Sequence, residues 1–206
     1  MREGVLSPEL ERVLNLLGML GIVGVILGSY VYQFSYRELP CTLCLLQRVA
    51  MIGVAVGAAM NVMIGPDTRH YGVCLLSAVF GILVAFRQSL LHMNPFFDKK
   101  TGQPTLEATA NPPFGQEVFG LNLYIWSVII FMVVFLAIGL VQLIRDPSNW
   151  PAREPAWLSR VASLGVGLLM IVIASQAVLV FMECGFGDCP NDGGWNWWIF
   201  RSSTGA

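Results

Sequence analysis

Five apolar runs, each about as long as a bilayer is thick, constrain this chain more than any other feature. They fall near residues 13–34, 44–64, 71–92, 120–144 and 158–181. About 20 apolar residues in a helix cross the hydrocarbon core, and helices satisfy their own backbone hydrogen bonds there. Only 12% of the 206 residues are charged, 55% are hydrophobic, and mean hydropathy is +0.65; soluble domains carry roughly 25% charge. The expectation is an all-α integral membrane protein with five spans. The first run is too long for a signal-peptide core and no small-residue cleavage site follows it, so it reads as a retained span. A net charge of −1 gives no reason to invoke nucleic acid; the surrounding partner is membrane lipid.

The connections are unequal. Gly65-Pro66-Asp67 is a turn short enough to force its flanking spans antiparallel. The segment 93–119 is the longest connection and is rich in Pro, Phe and Asn, while 145–157 is polar and Pro-rich. Gly24 and Gly28 in the first span, and Gly53 and Gly57 in the second, have the small-xxx-small spacing that permits close helix packing. With the N-terminus inside, six Arg flank the inner side (Arg2, Arg12, Arg69, Arg145, Arg153, Arg160) against four Lys/Arg outside (Arg37, Lys99, Lys100, Arg201). That bias favours N-in and C-out.

Chemistry concentrates at Pro40-Cys41-Thr42-Leu43-Cys44-Leu45-Leu46-Gln47-Arg48. Pro40 disfavours helix just before it, which makes Cys41 the last loop residue and puts Cys44 in the first turn of a helix. The helix N-terminus and Arg48, at i+4 on the same face, both favour a Cys44 thiolate, the species that attacks disulfides and donates electrons. A cation inside a membrane-length apolar segment is itself a functional-site signal. A structural disulfide, half of a zinc site and a snorkelling Arg are the plainer alternatives.

An odd number of spans places the first loop and the C-terminal tail on one side. Cys41, Cys44, Cys184 and Cys189 then share the outer compartment, where thiols can be oxidised. Four such cysteines also fit a four-thiolate zinc site, although Arg48 beside Cys44 and the lack of a second C-x2-C argue against it. Cys74, alone on the inner side, reads as a small buried apolar residue. His70 and His92 stand at opposite ends of one span, roughly 30 Å apart at helical rise, and cannot clamp one haem iron. Arg87 and His92 lie toward the same end as Arg48. Together the three suggest a pocket for a lipophilic acceptor with carbonyl oxygens, and a quinone fits.

These residues resemble the disulfide-bond formation protein B (DsbB) family over roughly residues 13–144. The resemblance rests on Pro40-Cys41-x-x-Cys44 followed by Arg48, on Ala85-Phe86-Arg87 leading to His92, and on Phe119-Gly120-Leu121 with Trp126-Ser127. It implies a bacterial inner-membrane enzyme that reoxidises a thioredoxin-fold periplasmic dithiol oxidase (DsbA-like) and passes electrons to ubiquinone or menaquinone. It implies a four-helix transmembrane bundle, here residues 1–144, with Cys44 facing the quinone, Arg48 beside its head and Cys41 as the exchange cysteine. Residues 145–206 then add a cytoplasmic linker, a fifth transmembrane helix and an outer cysteine-containing tail.

One departure stands out. The family carries its second cysteine pair between spans three and four, yet 93–119 contains no cysteine and the pair Cys184/Cys189 sits in the tail. The expectation is that the pair has moved while keeping its compartment, and relays electrons to Cys41/Cys44. The aromatic stretch 195–200 is expected to fold back on the outer surface and hold the tail over the bundle. A vitamin K epoxide reductase-like enzyme, and a non-enzymatic membrane subunit with structural disulfides, are the competing readings.

Overall fold

The computed structural model describes residues 6–37, 40–93, 117–145 and 156–186. Five helices carry it: α1 (Pro8–Tyr36), α2 (Thr42–Met63), α3 (Thr68–Met93), α4 (Leu123–Ile144) and α5 (Ala156–Cys184). All five are long and apolar enough to cross a membrane, as the apolar runs require. Helix ends follow local chemistry. Ser7 caps α1, accepting from Leu10 N at 3.3 Å, with Pro8 opening the helix. Arg37 closes it in the left-handed conformation at φ 52°. Span four starts later than its apolar run: β1 (Glu117–Val118) and β2 (Leu121–Asn122) form a two-residue hairpin through Phe119 (φ 53°) and Gly120 (φ 76°) before α4 begins. Positive φ at both turn positions is what such a hairpin needs. Trp126 Nε1 donates to Val118 O at 2.9 Å and ties the hairpin to α4.

Consecutive helices α1 to α4 pack in order, with α2 central, and α5 packs on α1 and α2. Lipid supplies no hydrophobic drive between spans, so close packing decides. Gly53 and Gly57 serve it as expected: a Cβ at Gly57 would meet His70 O at 2.9 Å and the Cys74 thiol, and one at Gly53 would meet Ser77. Gly81 makes the same room for the Phe131 ring of α4. Gly24 and Gly28 differ from expectation, because no atom lies within 4 Å of a Cβ built at either. The core face of α1 is instead Leu16, Met19, Ile22, Val23 and Ile26, and α4 stands off from α1. Cys74 is buried and its thiol donates to Val54 O at 3.4 Å, a packing role.

A buried polar network locks the end of the bundle opposite Cys41. Tyr71 donates to Glu11 Oε1 at 2.9 Å, Asn15 to Tyr71 at 2.6 Å, and Asn61 to Asn15 at 3.0 Å. Arg145 sits 3.5 Å from Glu11 and donates to Pro66 O at 3.0 Å. Each of these side chains has a partner on another element, which fixes the register of α1, α2, α3 and α4 at once.

Candidate active site

Cys41 is the N-cap of α2. Its Sγ accepts from Cys44 N at 3.2 Å, which puts Cys44 at the third helical position, among the unpaired N–H groups of the first turn. The two sulfurs lie 2.7 Å apart, both as free thiols. The hydrogen bond to Cys44, reinforced by burial, pushes the Cys41 thiol well above its usual range.

Two amides organise the pair. Gln88 of α3 directs its Nε2 at Cys44 Sγ (3.4 Å) and at Cys41 Sγ (3.6 Å). Its Oε1 accepts from Gln47 Nε2 at 2.7 Å, which turns the amide so that the NH2 faces sulfur. Both side chains are buried. Arg48 is 8% exposed, donates from Nη1 to Gln33 Oε1 at 3.0 Å, and lies 5.3 Å from the centre of the Tyr30 ring. α1 thus orients the cation while α2 aims it along the face that carries Cys44.

A cavity of about 560 Å³ opens beside this cluster, between α1 and the start of α4. Cys44, Gln47, Arg48 and Gln88 line it with Tyr32 and Tyr124; Cys41 does not. Its size falls within the range of small-molecule sites, about 300–1,000 Å³, and its mostly apolar walls with a few convergent polar groups match their usual make-up. A second, smaller cavity of about 170 Å³ lies further along the same α1–α4 seam.

The structure brings Cys41, Cys44 and Arg48 together. Arg87 is exposed on α3 and does not line the cavity, whereas its neighbour Gln88 does. His92 lies in the last turn of α3, and its side chain is outside the described residues. Cys184 ends α5, is buried and disulfide-bonded, and sits at the same end of the bundle as Cys41 and Cys44. Cys189, the stretch 94–116 and the aromatic stretch 195–200 lie outside the described residues. Gln88 and Gln33 are the residues that charge-based reading misses. Helix phase finds Gln88: Tyr71, Cys74, Ala78, Gly81, Ala85 and Gln88 alternate by three and four and are all buried.

A vicinal thiol pair at a helix N-terminus, one turn from a buried cation in a multi-span bundle, defines a membrane-embedded thiol–disulfide oxidoreductase. Comparison with known proteins gives the family. A profile for "Disulfide bond formation protein DsbB" matches residues 11–141. "Disulfide bond formation protein B" of Paracidovorax citrulli is 31% identical over 163 residues, covering 69% of this chain and 91% of that protein. The protein of that description from Cupriavidus metallidurans is 31% identical over 142 residues (56% and 84% of the two chains). The one from Burkholderia pseudomallei is 27% identical over 169 residues (70% and 96%). The chain belongs to the DsbB family. It is a disulfide-forming membrane protein, with a fifth span and a C-terminal cysteine pair as additions to the matched region.

Proposed function

We propose that the chain is a quinone-dependent disulfide generator of the bacterial inner membrane, with its N-terminus cytoplasmic and its C-terminus periplasmic. It takes electrons from a reduced, thioredoxin-fold dithiol partner of the DsbA kind. The observation that carries this reading is the division of the pair: Cys44 lines the cavity with Arg48, and Cys41, half-buried at the cap, does not.

The residues fit a quinone. The cavity walls are largely apolar, the cation and amides at one end complement carbonyl oxygens, and a sulfur stands at the wall. Quinone, when bound, supplies the acceptor for the two electrons and two protons released as two thiols become one disulfide. The protein's own residues do the rest. Cys41 is the exchange cysteine: a thiolate of the reduced Cys184/Cys189 pair attacks Cys41 of the Cys41–Cys44 disulfide and forms the mixed disulfide. Cys44 leaves as the thiolate, favoured there by the α2 N-terminus, Gln88 and Arg48. Gln33 and Tyr30 hold Arg48 toward the cavity.

Cys184/Cys189 serve as the relay that meets the partner first. The disulfide at Cys184, at the same end of the bundle as Cys41, supports this reading. It also disfavours a zinc site built from all four cysteines, which needs thiolates. In the purified protein, a reduced dithiol partner plus quinone yields one quinol per disulfide formed; a non-enzymatic subunit yields none. Cys44→Ser, Cys189→Ser and Cys44→Ser, Cys184→Ser variants trap a Cys41-to-tail disulfide on non-reducing gels. If neither traps it, and removing the tail pair leaves partner oxidation intact, the tail disulfide is a staple.

A further inference from the structure

Helix α5 has no counterpart in the bundle the site itself requires, yet its buried face runs straight to the site. Leu158, Ala162, Gly165, Leu169, Val172, Gln176 and Glu183 recur at helical spacing and are all buried. Such a stripe packs along a neighbour over its whole length. Close approach at one end is visible where a Cβ on Gly165 would meet the Met19 side chain at 2.8 Å. At the other end, Tyr30 donates to Gln176 Oε1 at 2.9 Å and pairs with Ser175 Oγ at 3.3 Å. Tyr30 is the ring beneath Arg48. Two turns beyond Gln176 on the same face comes Glu183, only 1% exposed.

A carboxylate so deeply buried in a membrane span needs a positive partner. Tyr30 ties the two together: its ring lies 5.3 Å from the Arg48 guanidinium, and its hydroxyl donates to Gln176 on the buried α5 face that ends at Glu183. Glu183 acts electrostatically on that cation, as do Cys44, Tyr30 and Cys41. Arg48 therefore feels both a buried carboxyl group of α5 and the Cys44 sulfur. We propose that Glu183 is a positioning residue for the redox site: the built-in counter-charge of Arg48, which holds the cation when the cysteines are oxidised and moderates its pull on the Cys44 thiolate when they are reduced. The fifth helix is then part of the active site rather than an appendage, and its disulfide-bonded neighbour Cys184 anchors the residue that sets the site's charge balance. The inference rests on Cys44 and Arg48 acting as a pair, as the proposed function has it, but not on a quinone being present.

The test is therefore run on quinone-free, full-length protein. In a Cys41→Ser background, alkylation of Cys44 is timed at one pH with and without Glu183→Gln. Removing the anion leaves Arg48's full charge to the thiolate and speeds alkylation about tenfold. Glu183→Asp, which keeps the charge, stays near the parent rate. Thermal unfolding across Arg48→Gln, Glu183→Gln and the double variant gives a second readout. Coupling between the two groups makes the double variant lose less stability than the sum of the two single losses. If Glu183→Gln does not fold alone, recovery of folded protein in the double variant carries the inference, and failure of both overturns it. An unchanged Cys44 alkylation rate in folded Glu183→Gln, or strictly additive losses in the cycle, also overturns it. Quinol formation in the same variants reports separately on the quinone reading, because a protein that never reduces quinone still shows or lacks the charge coupling.

Discussion

Gln88 Nε2 lies 3.4 Å from Cys44 Sγ, from a different helix, with its amide orientation fixed by Gln47. A neutral amide donor placed on a sulfur does what a charge would do, at lower desolvation cost and with more direction. It stabilises the thiolate without competing with Arg48 for whatever enters the cavity.

Gln88→Leu removes that donor and leaves Gln47 without its acceptor. Hydrogen bonds to charged groups contribute about 1.5–3 kcal/mol, so Cys44 alkylation in a Cys41→Ser background slows at least tenfold. Gln88→Glu slows it further by adding a like charge. Equal rates in all three proteins would reduce Gln88 to a packing residue.

Arg48→Ala raises the apparent quinone KM strongly, and Arg48→Lys raises it less, because the ammonium keeps charge but loses the planar fork. Gln33→Leu, which frees the guanidinium from its acceptor, gives a smaller rise of the same kind. Steady-state quinone kinetics check all three. A KM unchanged in Arg48→Ala would leave the cation with a snorkelling role only.

Most of the bundle was legible in the sequence because membrane-length apolar runs leave few choices of structure. Pro40 located the α2 cap, and the parity of five spans put Cys184 with Cys41. Arg87 attracted attention because it is charged, while Gln88 beside it reaches the sulfurs because it is in phase with Cys74, Gly81 and Ala85. Charge can be seen in one letter of sequence; the phase of a helix only emerges over several turns. Glu183 was obscured for a related reason. It lies at the edge of an apolar run, where acidic residues usually meet water, and only the buried stripe on α5 shows that it points inward. The hairpin before α4 arises from backbone conformation at Phe119 and Gly120, and Phe119 is not a residue that announces positive φ.

The glycines separate packing from opportunity. Gly57→Leu forces its side chain into Cys74 and the His70 carbonyl, and overpacking of this kind costs about 1–3 kcal/mol or more. Gly24→Ala, on an open face, changes stability by less than about 0.5 kcal/mol. Thermal unfolding in one detergent compares them. Equal destabilisation by both would contradict the helix arrangement.

The central claim is that Cys44, and not Cys41, works against the quinone. Its most direct measurement is the visible spectrum of purified Cys41→Ser and Cys44→Ser proteins during titration with quinone. A thiolate–quinone charge-transfer band should grow to saturation in Cys41→Ser, weaken when Arg48→Ala is added, and be absent from Cys44→Ser. A band of equal strength in Cys44→Ser, or none in Cys41→Ser with quinone bound, would contradict the account.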